Sequence, residues 1–333
     1  MTSRRNALAI LTAAALMPGR GGADARQFFR IGTGPTGGTY YPVGALIAEA
    51  ISAPPGSRPC GQGGACGVTG LVASAVATAG SGVNVTAIQA GRLESGFVQG
   101  DIAALAYRGQ GAWAGRPATD LRAIANLYPE TVHLVARREA RIAGLQDLAG
   151  KRVSLDEPGS GTLADATLIL AAAGMSPAML EQTNLPLGEA EQAMRAGALD
   201  AFFFVGGYPA DSIAELASQT QIDLVPIDGS VAARVMAEHP FFSSTVLPVD
   251  SYHGQDVPIP TLSVGAQWLT SVRQPEALIH DITAVLWAPA TARLLQAGPR
   301  RGRSIDLRTA LDGISIPLHP GAEAYYRENN LLR

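Results

Sequence analysis

The pattern that most constrains this chain is a repeated unit: an apolar run, a corner of glycine, serine and threonine, then a helical stretch. The first copy begins at Ile31, turns through Gly32-Thr33-Gly34-Pro35-Thr36-Gly37-Gly38-Thr39, and predicts a helix over residues 40–52 with Tyr41, Ala45, Ala48 and Ile51 near helical spacing. The second runs from a strand over 71–77 through Thr78-Ala79-Gly80-Ser81-Gly82 into a helix ending near 90. Gly96-Phe97-Val98 is the third strand, closing at Gln99-Gly100-Asp101, where Asp101 reads as the cap of a helix from Ile102. The unit restarts at Lys151-Arg152-Val153-Ser154-Leu155, with the corner Pro158-Gly159-Ser160-Gly161-Thr162 and a helix over 163–173. It returns at 201–205, followed by Gly206-Gly207-Tyr208. Strand, tight corner and helix in series predict an α/β fold, a mostly parallel sheet flanked by helices.

A length of 333 residues exceeds what one core usually organises, so two lobes are expected. The simplest layout has the chain leave one lobe, build another and return: 26–136 plus 241–333 for lobe 1, and 137–240 for lobe 2. Between 121 and 137, two apolar stretches (121–127 and 131–136) flank Tyr128-Pro129-Glu130. The last third predicts a strand at 261–266, one long helical stretch over 275–295 and a terminal helix over 322–331.

The first 25 residues read as an export signal rather than as fold. Arg4 and Arg5 precede a short apolar run, and Ala23-Asp24-Ala25 is a cleavage site. That run is too short for the ~20 residues of a membrane span, which predicts a periplasmic protein. The formal charge of −3, with no basic run, argues against nucleic acid as a partner. The two cysteines, Cys60 and Cys66, lie in Pro59-Cys60-Gly61-Gln62-Gly63-Gly64-Ala65-Cys66. In an oxidising compartment a local disulfide is favoured over metal ligation, which needs further ligands.

Four corners, Gly34 to Thr39, Thr78 to Ser81, Ser160 to Thr162 and Gly206 to Tyr208, follow strands and open helices. In open parallel sheets the ligand crevice lies beyond the carboxyl ends of the strands, where helix N-termini offer unpaired N–H groups and partial positive charge. The same residues also serve as helix caps in any α/β protein. Their recurrence on both halves points to a shared cleft for a small anionic solute. Gln99 is a further hydrogen-bonding candidate. Glu130 reads either as a partner for an ammonium group or cation, or as a solvated loop acid; His133, on an apolar strand face, reads as a core histidine.

Enzyme motifs are sparse. Gly32-x-Gly34-x-x-Gly37 lacks the acidic residue expected about 20 positions later for a dinucleotide site. There is no Gly-Lys-Ser/Thr, no G-x-S-x-G and no H-E-x-x-H. No catalytic residue, cofactor or metal is expected. The rival reading is an exported enzyme using Glu130 and His133 as acid and base.

The segment Gly32-Thr33-Gly34-Pro35-Thr36-Gly37-Gly38-Thr39-Tyr40-Tyr41-Pro42-Val43-Gly44 resembles the N-terminal motif of the TAXI family, the extracytoplasmic solute receptors of TRAP transporters. The resemblance continues through Thr78-Ala79-Gly80-Ser81, Gly91-Arg92-Leu93-Glu94-Ser95-Gly96-Phe97-Val98-Gln99-Gly100-Asp101, Leu127-Tyr128-Pro129-Glu130-Thr131-Val132-His133 and Gly159-Ser160-Gly161-Thr162. It ends with His239-Pro240-Phe241-Phe242 and Ile316-Pro317-Leu318-His319-Pro320-Gly321. It implies a type II periplasmic-binding fold that closes on its ligand, a glutamate- or 2-oxoglutarate-like cargo, and TRAP transporter membrane subunits as partner; the alternative to the last is a type II receptor serving an ATP-driven transporter or a sensor kinase. Ligand contacts are expected from Thr39, Tyr40, Thr78, Ser81 and Gln99 on one side and Ser160, Gly161, Thr162 and Gly206 on the other. Tyr128 and Glu130 are further expected ligand contacts, with Glu130 near the hinge. The chain departs from the family in its cysteine-bearing loop and in Gly206-Gly207-Tyr208, both expected close to the cleft.

Overall fold

The computed structural model describes residues 26–332, so the export segment and its cleavage site lie outside the described residues. Chain order begins with β1 (Gln27–Gly32), α1 (Tyr40–Ile51), β2 (Leu71–Val76), α2 (Ser81–Gln89), β3 (Ser95–Gln99) and α3 (Gly100–Arg108). A long strand β4 (Leu121–Arg137) leads to β5 (Arg152–Ser154), α4 (Gly161–Ala172), β6 (Glu181–Thr183), α5 (Leu187–Arg195), β7 (Ala201–Gly206) and α6 (Asp211–Gln219). Then come β8 (Ile222–Leu224), α7 (Gly229–Glu238), β9 (Ser243–Leu247), β10 (Ile259–Ser271), α8 (Glu276–Leu286), α9 (Pro289–Ala297) and α10 (Pro320–Glu328).

The main sheet runs β2-β1-β3-β10-β4-β7-β5-β6, with β8 on β4 and β9 on β10. Its two ends are parallel: β1 with β2 and β3, and β5 with β6 and β7. The middle is antiparallel, because β4 and β10 are long strands belonging to both halves. β10 pairs with β3 from Ala266 to Thr270 and with β9 from Ile259 to Ser263. β4 pairs with β10 from Leu121 to Thr131 and with β7 from Thr131 to Ala136. The handover from one half to the other therefore falls at residues 128–131 and 263–266.

Helices cover both faces of each half, as a sheet buried on both sides requires. In the first half, α1, α8 and α10 pack one face around Phe29, Phe97 and Trp268, while α2 and α3 pack the other. Trp268 meets both phenylalanines edge-on, at 6.5 and 6.4 Å between ring centres. In the second half, α4 and α7 cover one face and α5 and α6 the other. Among the described residues no helix is long and apolar enough to cross a membrane.

Four local expectations are corrected. Residues 121–137 form one continuous strand; Pro129 sits exposed within it, opposite Gly265. The stretch 275–295 is two helices, because a proline at 289 pushes its predecessor out of the helical region, Ala288 adopting an extended conformation. The buried stripe of α1 is Tyr40, Val43, Gly44, Ile47, Ala48 and Ile51, so Ala48 and Ile51 are buried as expected, whereas Tyr41 is only half-buried and Ala45 is exposed. Asp101 is inside the first turn of α3, not its cap, since the helix starts at Gly100.

Candidate functional site

The corners that open α1, α2 and α4 meet in one cleft between the two halves, beyond the carboxyl ends of β1, β2 and β5. The first residues of these helices, Tyr40, Ser81 and Gly161, line it, as do Thr39, Gln99, Glu130, Ser160 and Thr162. The water-accessible space in this cleft is small, about 40 Å³, room for only a few water molecules. Direct bonds between the halves explain why. The Gly82 and Val83 amides donate to the Gly159 carbonyl at 3.0 and 3.2 Å. The Gly207 amide donates to Thr39 Oγ1 at 3.0 Å, and Gln99 Nε2 donates to Asp165 Oδ2 at 3.0 Å. The two halves are thus in direct contact across the cleft.

Local chemistry accounts for each side chain's pose. Ser160 is a true N-cap, its hydroxyl accepting from the Leu163 amide at 3.0 Å. Thr162 Oγ1 accepts from the Val205 amide, tying α4 to β7. Ser81 Oγ accepts from the Gln99 amide at 3.1 Å and donates weakly to its side-chain oxygen. Glu130, only 2% exposed, takes a 2.6 Å hydrogen bond from the Tyr40 hydroxyl. Burial is the main force raising its pKa to about 8; Asp101 pushes the same way, while Tyr40 and Arg301 oppose. Of the two sequence readings of Glu130, the solvated loop acid is excluded.

Three expected site residues do not line the cavity. Thr78 holds its own corner together: its hydroxyl lies 2.9 Å from the Thr33 carbonyl and 2.8 Å from Asn84 Oδ1, sharing its one proton between these acceptors, and accepts from the Gly80 amide. Tyr128 is buried beneath the cleft. Gly206 ends β7 beside it; a Cβ there would stand 2.4 Å from the Phe204 ring and 3.2 Å from Thr39 Oγ1.

The cysteines are joined as a disulfide, Cys60 to Cys66. Their loop follows the C-terminal end of α1, whereas the cleft lies at its N-terminal end. A helix of twelve residues separates the two by roughly 18 Å. The expectation that this loop flanks the cleft is thus corrected. The Gly206-Gly207-Tyr208 corner does flank it, through the Gly207–Thr39 bond.

His133 is fully buried, its Nδ1 against the Thr131 carbonyl and its Nε2 against the Tyr252 hydroxyl, both at 2.9 Å. Burial lowers its pKa to about 4. It lines no part of the cleft, so the structure does not unite it with Glu130 as an acid–base pair.

One further lining residue, and two residues beside the cleft, escape a sequence reading. Asp156, lining the cavity with a left-handed backbone (φ 75°), accepts from the Glu157 amide at 2.8 Å; burial raises its pKa to about 6, with the Glu157 amide and the Ser160 and Thr162 hydroxyls opposing. Arg301 reaches from the far half to the Tyr208 carbonyl and lies over the Tyr208 ring, 4.2 Å from its centre. Asp165 faces Asp101 from inside α4. Only Asp156 had a local signal, an acid one residue beyond a strand and just before a glycine-rich corner.

Comparison with known proteins fits this architecture. A model of the NMT1-like family matches residues 31–329. Among solved structures, a periplasmic transporter is similar with a TM-score of 0.52, at 13% identity over 91% of this chain and 93% of that one. The alkanesulfonate-binding protein SsuA from Xanthomonas axonopodis pv. citri, bound to MOPS, gives 0.47 at 15% identity over 92% of each chain. PhnD1 from Prochlorococcus marinus, in complex with methylphosphonate, gives 0.47 at 11% identity over 92% of this chain and 99% of that one. At 13% identity the likeness to the periplasmic transporter shows the fold alone.

Proposed function

We propose that this chain, which belongs to the NMT1-like family, is a periplasmic solute receptor. It captures a small carboxylate or amino acid between its lobes and hands it to a membrane transporter. The observation that carries this reading is the convergence of the α1, α2 and α4 N-termini with one buried carboxyl, Glu130, on a single cleft between two halves. Each helix terminus favours a nearby anion by about 0.3–1 kcal/mol, up to ~2 when partly buried. Hydrogen bonds to a charged group add about 1.5–3 kcal/mol each, so several of each reach the ~8 kcal/mol of micromolar binding.

The lobes we assign as 26–136 plus 241–333 and 137–240, hinged where β4 and β10 cross between them. Glu130 and Tyr40 favour a glutamate-like amino acid over 2-oxoglutarate. The ligand carboxylate sits at the helix ends, and its ammonium lies beside Glu130, which then ionises. Delivery to a TRAP component rests on the ordered motif resemblance running from Gly32 to Gly321.

Calorimetry with L-glutamate and 2-oxoglutarate tests the reading. We expect L-glutamate to bind more tightly, and Glu130→Gln to weaken it at least tenfold, the loss of one charge-assisted contact. The same variant should leave 2-oxoglutarate within about threefold. No binding of either compound, or equal losses for both, would count against it.

A further inference from the structure

We propose that Asp101 of α3 and Asp165 of α4 hold one shared proton in the closed molecule, making the pair a proton-binding latch between the lobes. The two carboxyls come from opposite halves and lie within hydrogen-bonding reach of each other. They are 2% and 0% exposed. One oxygen of each, Asp101 Oδ1 and Asp165 Oδ1, is buried without a hydrogen-bond donor. Two acceptors cannot satisfy one another; a proton between them satisfies both.

Gln99, at the end of β3, gives Asp165 Oδ2 one amide hydrogen at 3.0 Å. Glu130 on β4 adds a further carboxyl acting on Asp165, and His239, beyond the end of α7, is the basic group acting on Asp101. Burial raises the Asp101 carboxyl, and holds that of Asp165 well above the usual range with Asp101 and Glu130 adding to the effect.

Opening the lobes separates the two carboxyls and returns both to water, where an aspartate titrates near its ordinary value of about 3.9. Closure thus takes up a proton at any pH between that value and the raised one. Closing is fully favoured below the window, and it weakens through the window by at most tenfold per pH unit for one proton. Above it, closure brings two buried carboxylates together.

The latch rests on the receptor reading only in needing lobes that open, so its test uses no solute. Small-angle scattering of the purified chain from pH 5 to pH 9 reads the closed fraction directly. We expect a compact particle at pH 5 and an expanded one at pH 9. Asp165→Asn should stay compact throughout, because its amide hydrogen takes the proton's place towards Asp101. A wild-type radius that ignores pH overturns the latch, as does an Asp165→Asn chain that expands with the wild-type midpoint. Compaction restored at pH 9 by sodium or calcium ions alone also overturns it, reassigning the pair to a cation. Should circular dichroism show Asp165→Asn unfolded, Asp101→Asn is read in its place, and the wild-type titration decides if neither folds. L-Glutamate binding that fails altogether would sink the receptor reading while leaving this result untouched.

Discussion

At the scale of single residues, Glu130 and His133 lie three positions apart on one strand and carry opposite pH dependences. The Glu130 pKa is raised in the fold to about 8, mainly by burial. Its contribution to stability is present below its unfolded pKa and is lost as pH rises through about 8. The His133 pKa is depressed to about 4, again mainly by burial. Its contribution is present above about 6.5 and is lost as pH falls towards 4, because the unfolded chain takes up the proton first. Urea unfolding should therefore lose up to roughly 1.4 kcal/mol per pH unit from this histidine on the acid side. His133→Gln should flatten that limb, and Glu130→Gln the alkaline one. An acid limb of unchanged slope in His133→Gln would show that other groups set it.

Among the elements, α2 and the Gly159 corner decide whether the lobes can meet. A Cβ on Gly82 would stand 2.8 Å from the Gly159 carbonyl, a backbone atom of the opposing lobe that cannot swing aside. Gly82→Ala should then hold the lobes apart and weaken L-glutamate at least tenfold, while thermal unfolding moves little, since each lobe keeps its own core. An unchanged affinity by calorimetry would mean that closure does not need this contact. The corners themselves were legible in the sequence because their chemistry is local: Ser160 caps α4, and glycines open the turns whatever the rest does. Thr78 misled for the same reason, being a corner residue spent on its own corner. Asp101, Asp165 and Arg301 were not legible as site residues, because what they face depends on how two lobes dock. Pro129 concealed the continuity of β4, since a proline within a run ordinarily argues against a central strand.

For the whole molecule, the α/β class followed from the repeated strand–corner–helix unit. The crossing of β4 and β10 did not, because antiparallel pairing between residues 132 to 150 positions apart, from Thr131–Ser263 to Leu121–Ser271, leaves no local mark. That crossing is what a hinge needs: two strands continuous through both lobes, and corners on either side facing each other. Closure on an anion should quieten the backbone amides at the helix ends above all. Hydrogen–deuterium exchange with and without saturating L-glutamate measures this directly. The account predicts slowed exchange at the starts of α1, α2 and α4, around residues 40–43, 81–84 and 161–164, with the outer faces of α5, α6 and α8 unchanged. Protection confined to those outer helices, with the three N-termini exchanging as before, would contradict it.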